Sequence, residues 1–211
     1  MILEKKNAVK LNADTSTKLL SAAATIFSKY GYEGSSLRQI SDLAGVKHGS
    51  VKYHFQNKKV LWEETVAFLY SLLTEATKAD EDIDENNLSP EDFLAHMKAM
   101  TRIYIRFSAK YPELFRILTF ETMHQSERLD WIVENFSKPF AKKSMIRINQ
   151  AKAAGIFPKH LENLNIYYIS LAAARTIFLL APEVKRTFGT DVFEAEALKR
   201  HEDAVVELLF R

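Results

Sequence analysis

The fold and function of this chain turn on twenty residues, Ser36-Leu37-Arg38-Gln39-Ile40-Ser41-Asp42-Leu43-Ala44-Gly45-Val46-Lys47-His48-Gly49-Ser50-Val51-Lys52-Tyr53-His54-Phe55. Two short helical patterns lie on either side of Gly45. Leu37, Ile40 and Ala44 share one face of the first; Val51 and Phe55 stand one turn apart on the second. Ser35 or Ser36 is placed to cap the first helix. Two helices that cross closely need a small residue where they touch, and Ser41 precedes the turn glycine by four. Val46 plugs the turn, and Val51 pins the second helix, which spans roughly 47–55. These are the requirements of a helix-turn-helix that sets its second helix in a DNA major groove. The outward face carries Lys47, His48, Gly49, Ser50, Lys52, Tyr53 and His54, a small, polar, basic surface with one aromatic ring. Gly49 inside a short helix costs about 1 kcal/mol in propensity, which is useful where backbone must approach another molecule closely. The bland alternative is a helical hairpin whose polar face is merely solvated.

Upstream, Leu20, Ala23, Ala24, Phe27 and Tyr30 form one stripe. Asp14, Thr15 and Ser16 are suitable N-caps for it, and Gly31 is its stop. Downstream, a longer helix over about 58–79 carries Leu61, Trp62, Val66, Leu69, Leu72 and Leu73. Residues 80–87 are acidic and polar and read as a loop. Ser89-Pro90-Glu91-Asp92 is a strong helix start, with a cap, a first-turn proline and acids at the positive end of the dipole. Pro112 begins the next helix. Pro139, after Ser137, restarts the chain into another that ends near Gly155. A very apolar helix covers about 161–180, Pro182 and Gly189 bracket a connection, and Asp191 opens a last helix. The expected fold is all-α with about nine helices: a head over 1–60 and a body over 61–211. No strand alternation competes.

The whole chain carries 29 basic and 27 acidic side chains, a net +2 that points to no partner. The distribution is informative. Residues 1–60 hold ten basic and four acidic side chains, or +6; the remainder holds nineteen and twenty-three, or −4. A basic head on an acidic body suits a module that meets a polyanion. With no cysteine, disulfides, thiolate metal sites and thiol nucleophiles are excluded. Six Gly and five Pro are too few for a turn-rich β-sandwich. Residues 1–6 show no targeting signal, and the apolar run over 166–181 is broken by Arg175 and short for a bilayer. The expected setting is cytoplasmic, without a membrane.

The stripe from Leu19, then Gly31-Tyr32-Glu33-Gly34-Ser35-Ser36, Ile40, Ala44-Gly45-Val46, Gly49-Ser50-Val51, Tyr53-His54-Phe55, Lys58 and Leu61 resemble the TetR family of transcriptional regulators over residues 12–62. Tyr111-Pro112-Glu113-Leu114-Phe115-Arg116 resembles the body of one broad branch more loosely. The resemblance implies that Tyr53 and Lys58 meet phosphates. Lys47, His48 and Ser50 are candidates for base edges, Lys52 for a phosphate or base, and Arg38 for the DNA backbone or plain solvent. His54 is structural or a phosphate donor. Tyr53 packed on the helix pair is the competing reading. Two departures stand out. Relatives usually have Ser or Thr where Lys47 stands, so the cap is lost or moved, and often an aromatic where Lys52 stands. Both add charge, which predicts salt-sensitive binding.

The resemblance also implies a body that binds a small effector and reorients the DNA heads. Candidate lining residues are Met97, Met100, Tyr104, Phe107, Phe120 and Tyr168, with Glu121, His124 and Arg175 as polar candidates. Arg175 interrupts an apolar helix; it pairs with Glu121, binds an anionic ligand or lies at a subunit boundary. The last two helices are apolar on more faces than one packing layer needs. Ile166, Ile169, Ala173, Ile177, Val205 and Leu208 are therefore candidates for a two-fold dimer interface, as the resemblance also implies. No cofactor is called for. The rival is a helical-bundle metal enzyme using Glu121 and His124, a Glu-x-x-His spacing. A di-iron bundle needs a second such motif, and the sequence has none. A helical adaptor without DNA binding is the third reading, disfavoured by the basic head.

Overall fold

Helix α1 (Ile2–Tyr30) ends where the expected glycine stands: Gly31 sits at φ +69° and its N–H donates to the Phe27 carbonyl at 2.9 Å. In this computed structural model the backbone is described for residues 2–78 and 88–210 and side chains from residue 15 onward. The acidic loop expected over 80–87 lies outside the described residues. Helix α1 begins well before Asp14, so the caps expected at Asp14, Thr15 and Ser16 lie inside it. Its buried stripe is Leu19, Ala22, Ala23, Ala24, Ile26 and Phe27.

Helix α2 (Leu37–Ala44) is closed by a capping box: Ser36 accepts from the Gln39 N–H, and the Gln39 side chain accepts from the Ser36 N–H. Ser35 is buried instead, donating to the carbonyls of Gly31 and Tyr32 at 2.6 and 2.8 Å. After α3 (His48–Phe55), Asn57 caps α4 (Lys58–Ala76) by accepting from the Val60 N–H at 2.9 Å. Helix α5 (Pro90–Lys110) starts at Ser89, whose hydroxyl accepts from the Asp92 N–H, and α6 (Pro112–His124) follows at once.

Eleven α-helices are present among the described residues, against about nine expected. The chain breaks at Gln125 (φ +46°), and Ser126 caps a short α7 (Glu127–Ile132). Pro139 does not restart the chain. The backbone passes from α7 through a π-helical stretch (Val133–Ser137) into α8 (Lys138–Ala153), and Ser137 is helical with no capping bond. A proline lacks the N–H for the ladder and its ring crowds the carbonyl four residues back. The widened π turn lies at that point and lets the helix continue. Pro182 is likewise a first-turn residue, of α10 (Ala181–Phe188), where a connection was expected. Helix α9 (Asn163–Leu179) bends by 70° into α10. The last helix, α11 (Ala195–Leu209), starts after Asp191, whose carboxylate accepts from the Phe193 N–H and pairs with Lys185. No strand occurs among the described residues.

The main core does not stop at residue 60. Leu19, Phe27, Ile40, Val51 and Phe55 of the head join Leu61, Trp62, Val66 and Leu69 of α4 and Leu114, Phe115, Ile117 and Ile132 of the body in one buried cluster. A second cluster joins α5, α8, α9 and α11 around Phe93, Ile148, Phe157, Ile166 and Val206; a third lies around Ile105, Ala174, Phe178 and Val205. Helices α5 and α11 are further tied by a bidentate Arg106–Glu202 pair at 2.8 Å, with Arg102 on Asp203 at 2.7 Å. No single helix among the described residues is long and apolar enough to cross a membrane.

Candidate nucleic-acid interface and ligand cavity

The two short helices meet at Ser41, which is fully buried. Gly45 takes φ +67°, a left-handed conformation that glycine adopts without strain. The turn then closes as the Val46 N–H donates to the Ser41 carbonyl at 3.1 Å. Val51 and Phe55 anchor α3 in the core. Side chains on a helix repeat every three to four residues, so the opposite face carries His48, Gly49, Lys52 and Tyr53, all exposed. Tyr53 is 75% exposed and touches the His54 ring edge-on at 5.2 Å, so it is not packed on the helix pair. Ser50 and His54 are half-buried. His48 Nδ1 lies 3.5 Å from the Ser41 hydroxyl. Lys47 stands at the N-cap of α3 with no side-chain cap bond, so the usual cap is lost, not moved. Arg38 is exposed, 3.9 Å from the equally exposed Asp42, a pair worth little in water.

A Cβ added at Gly49 meets nothing within 4 Å. The fold alone therefore gives no reason for glycine here. Gly49→Ala is expected to stabilise the free protein by up to about 1 kcal/mol through helix propensity while weakening DNA binding several-fold. A thermal melt beside a DNA titration checks both. Unchanged affinity removes the close-approach role.

Lys58 opens α4 with its ammonium 4.5 Å above the Tyr32 ring, and the Arg128 guanidinium of α7 lies 4.0 Å from the same ring. Burial lowers the Lys58 pKa most, Glu33 opposes the shift and Arg128 adds to it. Arg128 continues into the body. It donates to the Glu121 carboxylate at 3.1 Å and reaches Glu33 at 3.4 Å. Glu121 is 1% exposed and also accepts from the Ser126 hydroxyl. Beside this joint, a Cβ at Gly31 would stand 2.2 Å from the Phe120 ring. Head and body thus meet through backbone packed on a ring and through two cations set against the Tyr32 ring.

This joint corrects part of the expected ligand site. Phe120 lies against Gly31, and Glu121 is committed to Arg128. His124 is exposed, stacked on Phe120 at 4.3 Å and bonded to its carbonyl at 2.8 Å. Phe107 is buried in the main core against Tyr111 and Phe115. Tyr168 is 57% exposed and does not line the cavity; its neighbour Tyr167 does. Arg175 is half-buried and does not line it either. Its guanidinium lies 5.0 Å from the Phe115 ring and donates to the Tyr104 oxygen at 3.4 Å, so it does not pair with Glu121.

The cavity itself, about 500 Å³, lies between α4, α5, α8 and α9. Met97, Met100 and Tyr104 line it, as do Tyr70 and Leu73 of α4, Phe136, Phe140, Phe157, Tyr167 and Leu171. The α4 wall lies outside the helices beyond Ser89 in which the pocket is expected from sequence. The amphipathic stripe of α4 is apolar on more than its head-facing side, with Tyr70 beside Leu69, and that was the available signal. Burial pushes the Tyr104 and Tyr167 phenols up to about 12; for Tyr104 the nearby Arg175 charge is the chief opposing influence. Both are neutral donors at any physiological pH.

On the outer face of α9 and α11, Leu164, Tyr168, Ile169 and Leu208 are all more than half exposed. Ile166 and Val205, expected at a subunit boundary, face inward instead, each 5% exposed or less and packed in the protomer's own second and third clusters. Ala173 and Ile177 are half-buried against the third cluster.

The sequence family described as "Bacterial regulatory proteins, tetR family" matches residues 19–65, and "Tetracyclin repressor-like, C-terminal domain" matches residues 94–209. The "HTH-type transcriptional regulator RutR" of Escherichia coli O157:H7 is 26% identical over 199 residues, covering 90% of this chain and 87% of that one. Among solved structures, AibR in complex with isovaleryl coenzyme A and operator DNA superposes with a TM-score of 0.71 at 17% identity, covering 93% of this chain and 98% of that one. KstR2 of Mycobacterium tuberculosis, a ketosteroid transcriptional regulator, gives 0.67 at 18%, covering 93% and 95%. These two likenesses speak to the fold.

Proposed function

This chain belongs to the TetR family of bacterial transcriptional regulators, and from that premise we propose that it is a cytoplasmic homodimeric repressor, released from a near-palindromic operator by a small-molecule effector. The observation that supports this most is the outer face of α3. Its two apolar residues are anchored in the core, while Lys47, His48, Gly49, Lys52 and Tyr53 stand exposed. On DNA, Lys47, His48 and Ser50 face base edges. Lys52, Tyr53 and Lys58 take phosphates, with Arg38 beside them. His54 supports Tyr53. Two copies pair through the outer faces of α9 and α11, with Ile169, Leu208 and flanking Tyr168 in the seam, which sets half-sites about one helical turn or a multiple apart.

The effector occupies the cavity beside Tyr70 and Tyr104. From Tyr70 to Lys58 is twelve residues of one helix, about 18 Å, so α4 joins the cavity wall directly to the DNA end. A ligand releases DNA only if it binds the non-DNA state better. Of the relatives, AibR is recorded with an acyl thioester and DNA together, which supports a body that takes a small molecule. The chain is not an enzyme in this reading. Glu121, half of the Glu-x-x-His spacing, is held by Arg128 and Ser126.

Lys52→Ala is the test. It is expected to weaken binding to all DNA sequences alike and to reduce the slope of log K against log salt by about one unit per protomer. An unchanged slope counts against the phosphate role.

A further inference from the structure

The inner wall of the cavity carries a cluster of phenols in a lining that is mostly apolar surface. Tyr70, Tyr104 and Tyr167 line the cavity from three helices, and the Arg175 charge acts on all three phenols. Arg175 donates to the Tyr104 oxygen at 3.4 Å. That oxygen is therefore an acceptor from behind, and its own proton is left to donate forward. Among the described residues no acceptor takes this proton, and no carboxylate pairs with Arg175. A half-buried guanidinium without a counter-charge is costly. A buried hydroxyl without an acceptor adds to that cost. Both are relieved by one object: an anion in the cavity beside Tyr104.

The remaining lining says what carries that anion. Met97, Met100, Phe140, Ile148, Phe157 and Phe210 offer hydrocarbon and aromatic surface, two of them adaptable thioethers. Lys143 and Arg147 also line the cavity, but other groups already engage them. Neutral phenol donors with the Arg175 charge behind them suit a carboxylate.

We propose that the effector is an apolar monocarboxylic acid, its carboxylate received by the Tyr104 and Tyr167 hydroxyls in front of Arg175 and its hydrocarbon body among Met97, Met100, Phe140 and Phe157. This rests on the regulator reading above and specifies its ligand. Arg175 is a positioning residue: it orients the Tyr104 hydroxyl and supplies the field.

The structure also provides a reporter. Trp131 stands edge-on to Phe136 at 5.4 Å, and Phe136 lines the cavity. Tryptophan fluorescence of the full-length protein should therefore follow titration with straight-chain carboxylates from six to fourteen carbons, and with the matching alcohols and amines. At least one acid is expected to bind ten-fold or more tighter than its alcohol, with the amine weakest. Arg175→Met is expected to bring acid and alcohol within two-fold, and Arg175→Lys to restore most of the preference. Tyr104→Phe, which keeps the packing, is expected to weaken the acid about five- to ten-fold and the alcohol far less. Equal binding of acid and alcohol, a preference that survives Arg175→Met and Tyr104→Phe, or no binding by any acid overturns the proposal. DNA binding by the ligand-free native protein is measured alongside. A protein that binds DNA but no acid sinks this inference alone. One that prefers acids but binds no DNA supports it and sinks the regulator reading.

Discussion

Gly31→Ala is expected to destabilise the protein by about 2–5 kcal/mol. Two independent penalties meet there. The residue sits at φ +69°, where an L side chain costs about 1–2 kcal/mol. Its new Cβ would stand 2.2 Å from two atoms of the Phe120 ring, and overpacking of that kind costs about 1–3 kcal/mol. His124 stacks on the ring at 4.3 Å, so moving the ring also disturbs that contact. The two contributions separate in a double-mutant cycle. With Phe120→Ala in place, the added methyl should cost only the backbone part, about 1–2 kcal/mol. Denaturant unfolding of the four proteins measures this. A single-variant cost below 1 kcal/mol contradicts the close approach of head and body.

The second large effect is at Arg128. Its partner Glu121 has a side chain only 2% exposed. Arg128→Met leaves that carboxylate buried with the Ser126 hydroxyl as its remaining described donor. Removing one side of a buried pair costs about 3–5 kcal/mol, since the surviving charge is uncompensated. Arg128 itself is partly exposed, at 22%, so the lower half of that range is expected. The same change takes a cation off the Tyr32 ring and leaves Lys58 as the ring's other cation. Operator affinity should fall along with stability. Replacing both members, Arg128→Met with Glu121→Leu, should recover most of the stability without restoring the affinity. A double variant as unstable as the two single losses combined contradicts the account of the pair.

What the sequence revealed, and what it hid, divides by the range of the interactions. The helix-turn-helix was legible because its determinants are local. Ser36 finds Gln39 three residues on, Val46 reaches back five residues to Ser41, and Val51 and Phe55 are one turn apart. Even the lost cap at Lys47 could be read. Local reasoning failed where a proline obeyed its surroundings: Pro139 sits within a continuing helix because a π turn absorbs the missing bond, and Pro182 opens a helix of its own. The joint was invisible for a different reason. Glu121 and Arg128 are seven residues apart, on different helices, and Arg128 also reaches Glu33 and Tyr32 about ninety-five residues earlier. Nothing in the spacing of Glu121 and His124 separates a metal ligand from a buried ion pair. The dimer candidates split for a similar cause. An apolar helix shows that several faces are covered, but not which face its own core takes, and Ile166 and Val205 went inward while Ile169 and Leu208 stayed out.

The central claim is that the exposed face of α3 reads DNA from a two-fold dimer. Selection from a random duplex library with the purified full-length protein tests it most directly. The account predicts enrichment of one near-palindromic site, with half-sites a helical turn or a multiple apart and contacts that Lys52→Ala weakens without changing the selected sequence. No enrichment, or a site without two-fold symmetry, would contradict it.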